Sequence, residues 1–143
     1  MRFLNYIIFP FLIIVVYGCD EKDDNPTVQS TGELMGSWLL YEKGYSPGVG
    51  YIVETVSPMP PQVLILEEER ISSSVNELEG FKFYEILTDT VTQTEFVALY
   101  KNKPPLQNDE SGPTYSFLVT GDTLKLYFRY CYEGCHLGFR RIN

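Results

Sequence analysis

Histidine and tryptophan each occur once in this chain and cysteine three times, so several kinds of chemistry are closed off at once. A metal site built from several histidines cannot form, and any Cys-His-Asn arrangement would have to run through His136. No Gly-x-Ser-x-Gly, no His-Glu-x-x-His and no phosphate-cradling glycine loop is present. Basic residues are also scarce, 11 Lys and Arg against 19 Asp and Glu, for a formal charge of −8. Nucleic acid and anionic membrane surfaces are bound through basic patches, so neither is an expected partner. The expectation is a protein that is not an enzyme and uses no metal and no cofactor. The run Glu67-Glu68-Glu69 is the one source of a glycosidase-like pair of acids, and three in a row at a strand end read more simply as a solvated turn.

Long apolar runs are missing too. The longest, Phe3 to Tyr17, is interrupted by Asn5 and Pro10 and falls short of the ~20 residues a spanning helix needs. With Arg2 ahead of it and a small residue at its end, it reads as a secretory signal. The segment Val16-Tyr17-Gly18-Cys19 resembles the lipobox of bacterial lipoproteins, in which the cysteine thiol takes a diacylglycerol before cleavage. Val stands where Leu is usual, and Tyr17 is bulkier than usual. An ordinary signal peptide or a membrane anchor with an incidental cysteine is the alternative. The expected boundaries are 1–18 for the signal, 19–32 for the lipidated Cys19 with an acidic and polar tether, and 33–143 for one folded domain. In the tether, Asp20-Glu21-Lys22-Asp23-Asp24 reads as a solvated spacer, and it also resembles the surface-export signal of Bacteroidota lipoproteins.

What the chain has in quantity is aromatic residues, 11 Tyr and 9 Phe among them, and these favour strands. Ser30 followed by Glu33 has capping-box spacing and predicts a single helical turn through Met35. Strands are expected over Gly36–Lys43, Val63–Leu66, Arg70–Val75, Gly80–Leu87, Thr90–Tyr100, Thr114–Thr120, Thr123–Tyr132 and Leu137–Ile142. Gly121-Asp122 between two alternating runs predicts a two-residue hairpin turn. Tyr45–Pro61 and Lys103–Pro113 read as Pro-rich loops, presenting Tyr45, Tyr51 and Leu106 as contact surface. About eight short antiparallel strands must close or cover their edges. The expected fold is therefore all-β, an antiparallel meander closing into a small barrel of about eight strands. Such a barrel is either filled by side chains or holds one small ligand.

Gly36-x-Trp38 opening the first strand resembles the first motif of the lipocalins and their calycin relatives, and Phe139-x-Arg141 resembles their closing element. The resemblance implies an arginine stacked on the tryptophan at the barrel floor, a contact of roughly 0.5–2 kcal/mol. Arg140 is the alternative if the strand phase slips by one. The chain also resembles the lipocalin-like lipoproteins of Bacteroidota, through Ser46-Pro47-Gly48-Val49-Gly50, Gly121-Asp122-Thr123-Leu124 and Cys131-Tyr132-Glu133-Gly134-Cys135. That resemblance implies a fold and an outer-membrane, lipid-anchored location, and no particular ligand.

Under these strand phases Leu64, Leu66, Phe81, Phe83, Leu124, Leu126 and Phe128 face the barrel interior, either as packed core or as the walls of an apolar cavity. The expected partners are the membrane through the lipid anchor, a small apolar or glycan ligand in the barrel, and an envelope protein docked on the Pro-rich loops. Cys131 and Cys135 remain once Cys19 is lipidated, an even pair in an oxidising compartment. Haem attachment wants one residue fewer between the cysteines, and zinc wants a fourth ligand. A disulfide is the remaining reading, and its five-residue ring stabilises by roughly 2 kcal/mol. Reduction is expected to fray the last hairpin without releasing any cofactor, and titration of the unreduced protein should find neither Cys131 nor Cys135 as a free thiol.

Overall fold

Alternating residues in this chain do become strands, and the strands close on themselves. The computed structural model describes residues 31–104, 112–132 and 134–142. A short helix, α1 (Thr31–Leu34), leads into β1 (Gly36–Tyr45), β2 (Ile52–Thr55), β3 (Val63–Glu67) and β4 (Arg70–Ser73). A one-turn 3-10 helix (Asn76–Leu78) follows, then β5 (Phe83–Thr88), β6 (Glu95–Tyr100), β7 (Thr114–Thr120), β8 (Thr123–Phe128) and β9 (His136–Ile142). Every pairing is antiparallel, and β1 also pairs with β9, so eight strands form a closed barrel and β2 stands outside the ring. The long β1 makes this possible. Its first half pairs with β3 and its second half with β2, while β9 runs along its other side.

One end of the barrel is sealed. Trp38 is wholly buried, and the guanidinium of Arg141 lies 4.1 Å from its ring centroid. The same guanidinium donates to the carbonyls of Met35 (2.8 Å) and Glu33 (2.5 Å), while Trp38 Nε1 donates to the carbonyl of Leu34 at 3.0 Å. These three bonds fasten α1 across the end of the barrel. Gly36 is required in the seal: its φ is +136°, and a Cβ there would come 2.6 Å from Arg141 Nη1. Arg140, one residue earlier, points outward and stacks on Tyr41 at 4.6 Å. Above the seal, Leu34, Leu40, Leu64, Leu66, Leu124 and Phe139 fill the interior, joined by Val75 and Leu78 from the segment around the 3-10 helix.

Four expectations need correction. The stretch Tyr45–Pro61 is not all loop, because Ile52–Thr55 folds back onto β1 as β2. The strand expected from Thr90 starts at Glu95, since Asp89 makes a turn by accepting the N–H groups of Val91 and Thr92. Those two bonds, aided by Arg129, hold the Asp89 carboxyl down at about 2. Phe83 does not face the interior. The chain leaves the 3-10 helix through Gly80 (φ +86°) and becomes strand only at Phe83, so Phe81 enters the barrel from a loop and Tyr84 is buried in place of Phe83. Tyr130, expected on the face of Leu124, Leu126 and Phe128, is exposed because β8 ends at Phe128. Gly121-Asp122 does form the β7–β8 turn, with Thr120 opposite Thr123 and Gly121 at φ +56°. Cys131 and Cys135 are bonded, with Cα atoms 5.6 Å apart.

Replacing Arg141 by Met should remove the stacking and both carbonyl bonds, costing about 2–4 kcal/mol in urea unfolding, while Arg140→Met should cost about 1 kcal/mol or less.

Candidate functional site

The end opposite the seal is open. There the interior widens into a cup of about 550 Å³, within the range of small-molecule sites, which run from roughly 300 to 1,000 Å³. Phe81, Tyr115, Leu126, Phe128, Leu137 and Pro113 make most of its wall, with Lys43, Tyr45 and Glu77 at its edge. The Tyr115 and Phe128 rings lie 5.5 Å apart and tilted. Burial, with a smaller contribution from the charge of Glu77, pushes the Tyr115 phenol up to about 12. Of the seven residues expected to face a ligand, Phe81, Leu126 and Phe128 line this cup. Leu64, Leu66 and Leu124 lie deeper, in the packed half. Phe83 is on the outer wall, with the Arg70 guanidinium 6.0 Å from its ring. The interior is thus neither filled nor hollow: its sealed half is packed and its open half is a cup.

The charges at the cup come from an irregularity that the strand pattern conceals. The β1–β9 register shifts between Leu40 and Glu42, leaving Tyr41 as an extra residue in β1. Such a bulge re-aims the side chains that follow it. Without it Lys43 would point outward. With it, Lys43 lies opposite the inward-facing Leu137 and meets Glu77 of the 3-10 helix, Nζ to Oε1 2.6 Å. Glu77 is held in place because its neighbour Leu78 is fully buried in the core.

The same shift sends Glu42 outward, where a second polar group assembles on the outer wall. His136, only 5% exposed, places Nε2 2.7 Å from Glu42 Oε1, and its Nδ1 bonds the hydroxyl of Tyr51. Lys125 Nζ reaches the same Glu42 oxygen at 2.8 Å. The Lys125 bond, and after it the His136 bond, lower the Glu42 carboxyl against the opposing effect of its burial. Burial raises the Tyr51 phenol. Two glycines make the room. A Cβ on Gly44 would collide with both the Tyr51 hydroxyl and the His136 ring, and one on Gly138 would sit 2.9 Å from Glu42 Cβ. In the order hydroxyl, imidazole, carboxylate, both nitrogens of the His136 ring bond groups within the protein. The group acts as a clip, tying the β1–β2 arm to the outer wall.

The sequence reading missed this clip and the Lys43–Glu77 pair. A signal for the clip was present in Gly44 and Gly138, since glycine inside a strand marks a bulge or a close approach. Glu67, Glu68 and Glu69 are exposed at the β3–β4 turn. Tyr45 and Tyr51 do present exposed surface, although both hydroxyls are bonded, to Glu54 and His136. Cys19 and Leu106 lie outside the described residues. Among the described residues no group of three or more His, Cys, Asp or Glu gathers at one point. The chain matches no family model, no curated protein and no solved structure.

Gly44→Ala should dislodge Tyr51 from His136, seen as a shift of the single imidazole in NMR spectra and faster proteolysis within residues 46–50. The lowered Glu42 carboxyl contributes stability that is present above its unfolded value of about 4.5 and is lost as pH falls through its folded value. Glu42→Gln should therefore be less stable than the parent chain at pH 7, and the gap should close as acid is added.

Proposed function

We propose that this chain is a lipocalin-like lipoprotein of the outer membrane, anchored through Cys19, that binds a small ligand in the barrel cup and catalyses no reaction. The observation that carries the reading is the cup itself: an aromatic and aliphatic wall of about 550 Å³, open at one end of a barrel whose other end is packed shut. Between the two ligand classes expected, an apolar group suits the wall of Phe81, Leu126, Phe128 and Leu137 better than a glycan does, because few polar atoms face inward. The location rests on Val16-Tyr17-Gly18-Cys19 and the acidic run after it. Chain direction fits this location. The tether would join the barrel through α1, at the sealed end, and the cup opens at the other. An anchored protein would then hold its cup away from the lipid.

A second reading is supported by the end of β1 and the arm beyond it. Tyr45, Val49, Tyr51, Ile52, Val53 and Met59 are all exposed there, and β2 ends the sheet with a free edge among the described residues. An envelope protein docking on that edge would make the cup incidental.

Native mass spectrometry of protein purified without detergent should find a bound small molecule. Phe81→Asp, which sets a charge in the cup wall at a partly buried site, should abolish that adduct while the barrel stays folded. Recovery of the parent chain with an empty cup, together with a stoichiometric protein partner, would favour the second reading.

A further inference from the structure

A lysine turned into an apolar cup is costly unless its charge has a partner. The bulge at Tyr41 is what turns Lys43 inward, and Val75 and Leu78, both completely buried, fix the helical turn that brings Glu77 to meet it. The two charges are therefore carried on firm supports at the edge of the cup rather than on loose loops. They are not sealed off: the side chains of Lys43 and Glu77 are 29% and 43% exposed. Their bond uses one of the three N–H donors of the ammonium and one of the two carboxylate oxygens. An ammonium with spare donors thus stands beside a carboxylate with spare acceptors, and both overlook an aromatic wall.

Resting on the reading of the cup as a ligand site, we infer that the ligand is a charge-balanced amphiphile: an apolar tail in the cup and a head carrying a cation beside an anion. The head cross-pairs with Lys43 and Glu77, its anion on the ammonium and its cation on the carboxylate. Four kinds of head can be compared on the charges alone. A lone anion gains Lys43 but must lie against Glu77, in a chain of formal charge −8. A lone cation gains Glu77 and the faces of Phe81 and Tyr115, but lies against Lys43. A neutral sugar leaves the ion pair closed and can bond its spare donors and acceptors, but each such bond has one charged partner where a zwitterion's has two. Among the three charged heads only the paired one leaves every charge at the edge with a partner, and an unpaired charge removed from water is the expensive outcome; unlike the sugar, it also adds its own two charges to the pair.

The test uses four compounds with the same octyl tail and a betaine-type zwitterionic, carboxylate, trimethylammonium or glucoside head. Each is titrated as monomer into the intact protein by calorimetry. The zwitterion should bind about tenfold tighter than each of the others. Lys43→Gln should move the preference to the cationic head, Glu77→Gln should move it to the anionic head, and the double variant should level the series. Circular dichroism confirms that each variant is folded. Equal affinity for all four heads would overturn the inference and leave the cup reading standing. A preference of the parent chain for one singly charged head would overturn it likewise. No binding by any of the four would overturn both.

Discussion

Everything in this molecule depends on β1 finding β9. A meander of short strands leaves two edges, and here the first and last strands of the ring cancel each other by pairing along most of their length. Trp38 and Arg141 sit directly opposite one another in that pairing, so the contact that closes the sheet also closes one end of the barrel. Because Arg141 bonds the carbonyls of Glu33 and Met35, the helix that enters the barrel is drawn into the same joint. Sheet closure, floor and chain entry are therefore one structural event.

The other end owes its character to a single extra residue. Up to Leu40, β1 alternates as a barrel strand should, inward at Trp38 and Leu40. The bulge at Tyr41 exchanges the two faces for the rest of the strand. Lys43 then looks into the cup and Glu42 out to His136 and Lys125. The inner ion pair and the outer clip lie on opposite sides of the same few residues, and neither would exist in a regular strand. Cys135, His136 and Leu137 all border the cup, and the His136 ring is held by Glu42 and Tyr51, so the clip stiffens the wall that a ligand would touch.

Much of the ring was legible from the chain. The Gly-Asp turn is a short-range pattern whose geometry follows from residue type, whereas Gly36, Trp38 and the closing arginine were legible only through the resemblance of their motifs to those of the lipocalins. What was hidden depended on register. The apparent alternation of Phe81, Lys82 and Phe83 hid a change from loop to strand, so the phase was wrong for Phe83 and the inward Tyr84 was overlooked. Proline and glycine around Ile52–Thr55 masked a strand formed only because β1 runs long enough to pair with it. The cup shared this fate. Phe81, Leu126 and Phe128 could be placed by alternation, whereas Lys43, Glu77 and the His136 clip join residues brought together by one bulge and by segments distant in sequence.

The lone tryptophan has a use beyond closure. Trp38 is the only indole in the chain and lies wholly buried under a guanidinium at the sealed end, with the packed half of the interior between it and the cup. Its fluorescence is thus a private signal of the floor. Emission from this side chain will follow the integrity of the barrel joint, so one residue reports whether the first and last strands of the ring have met.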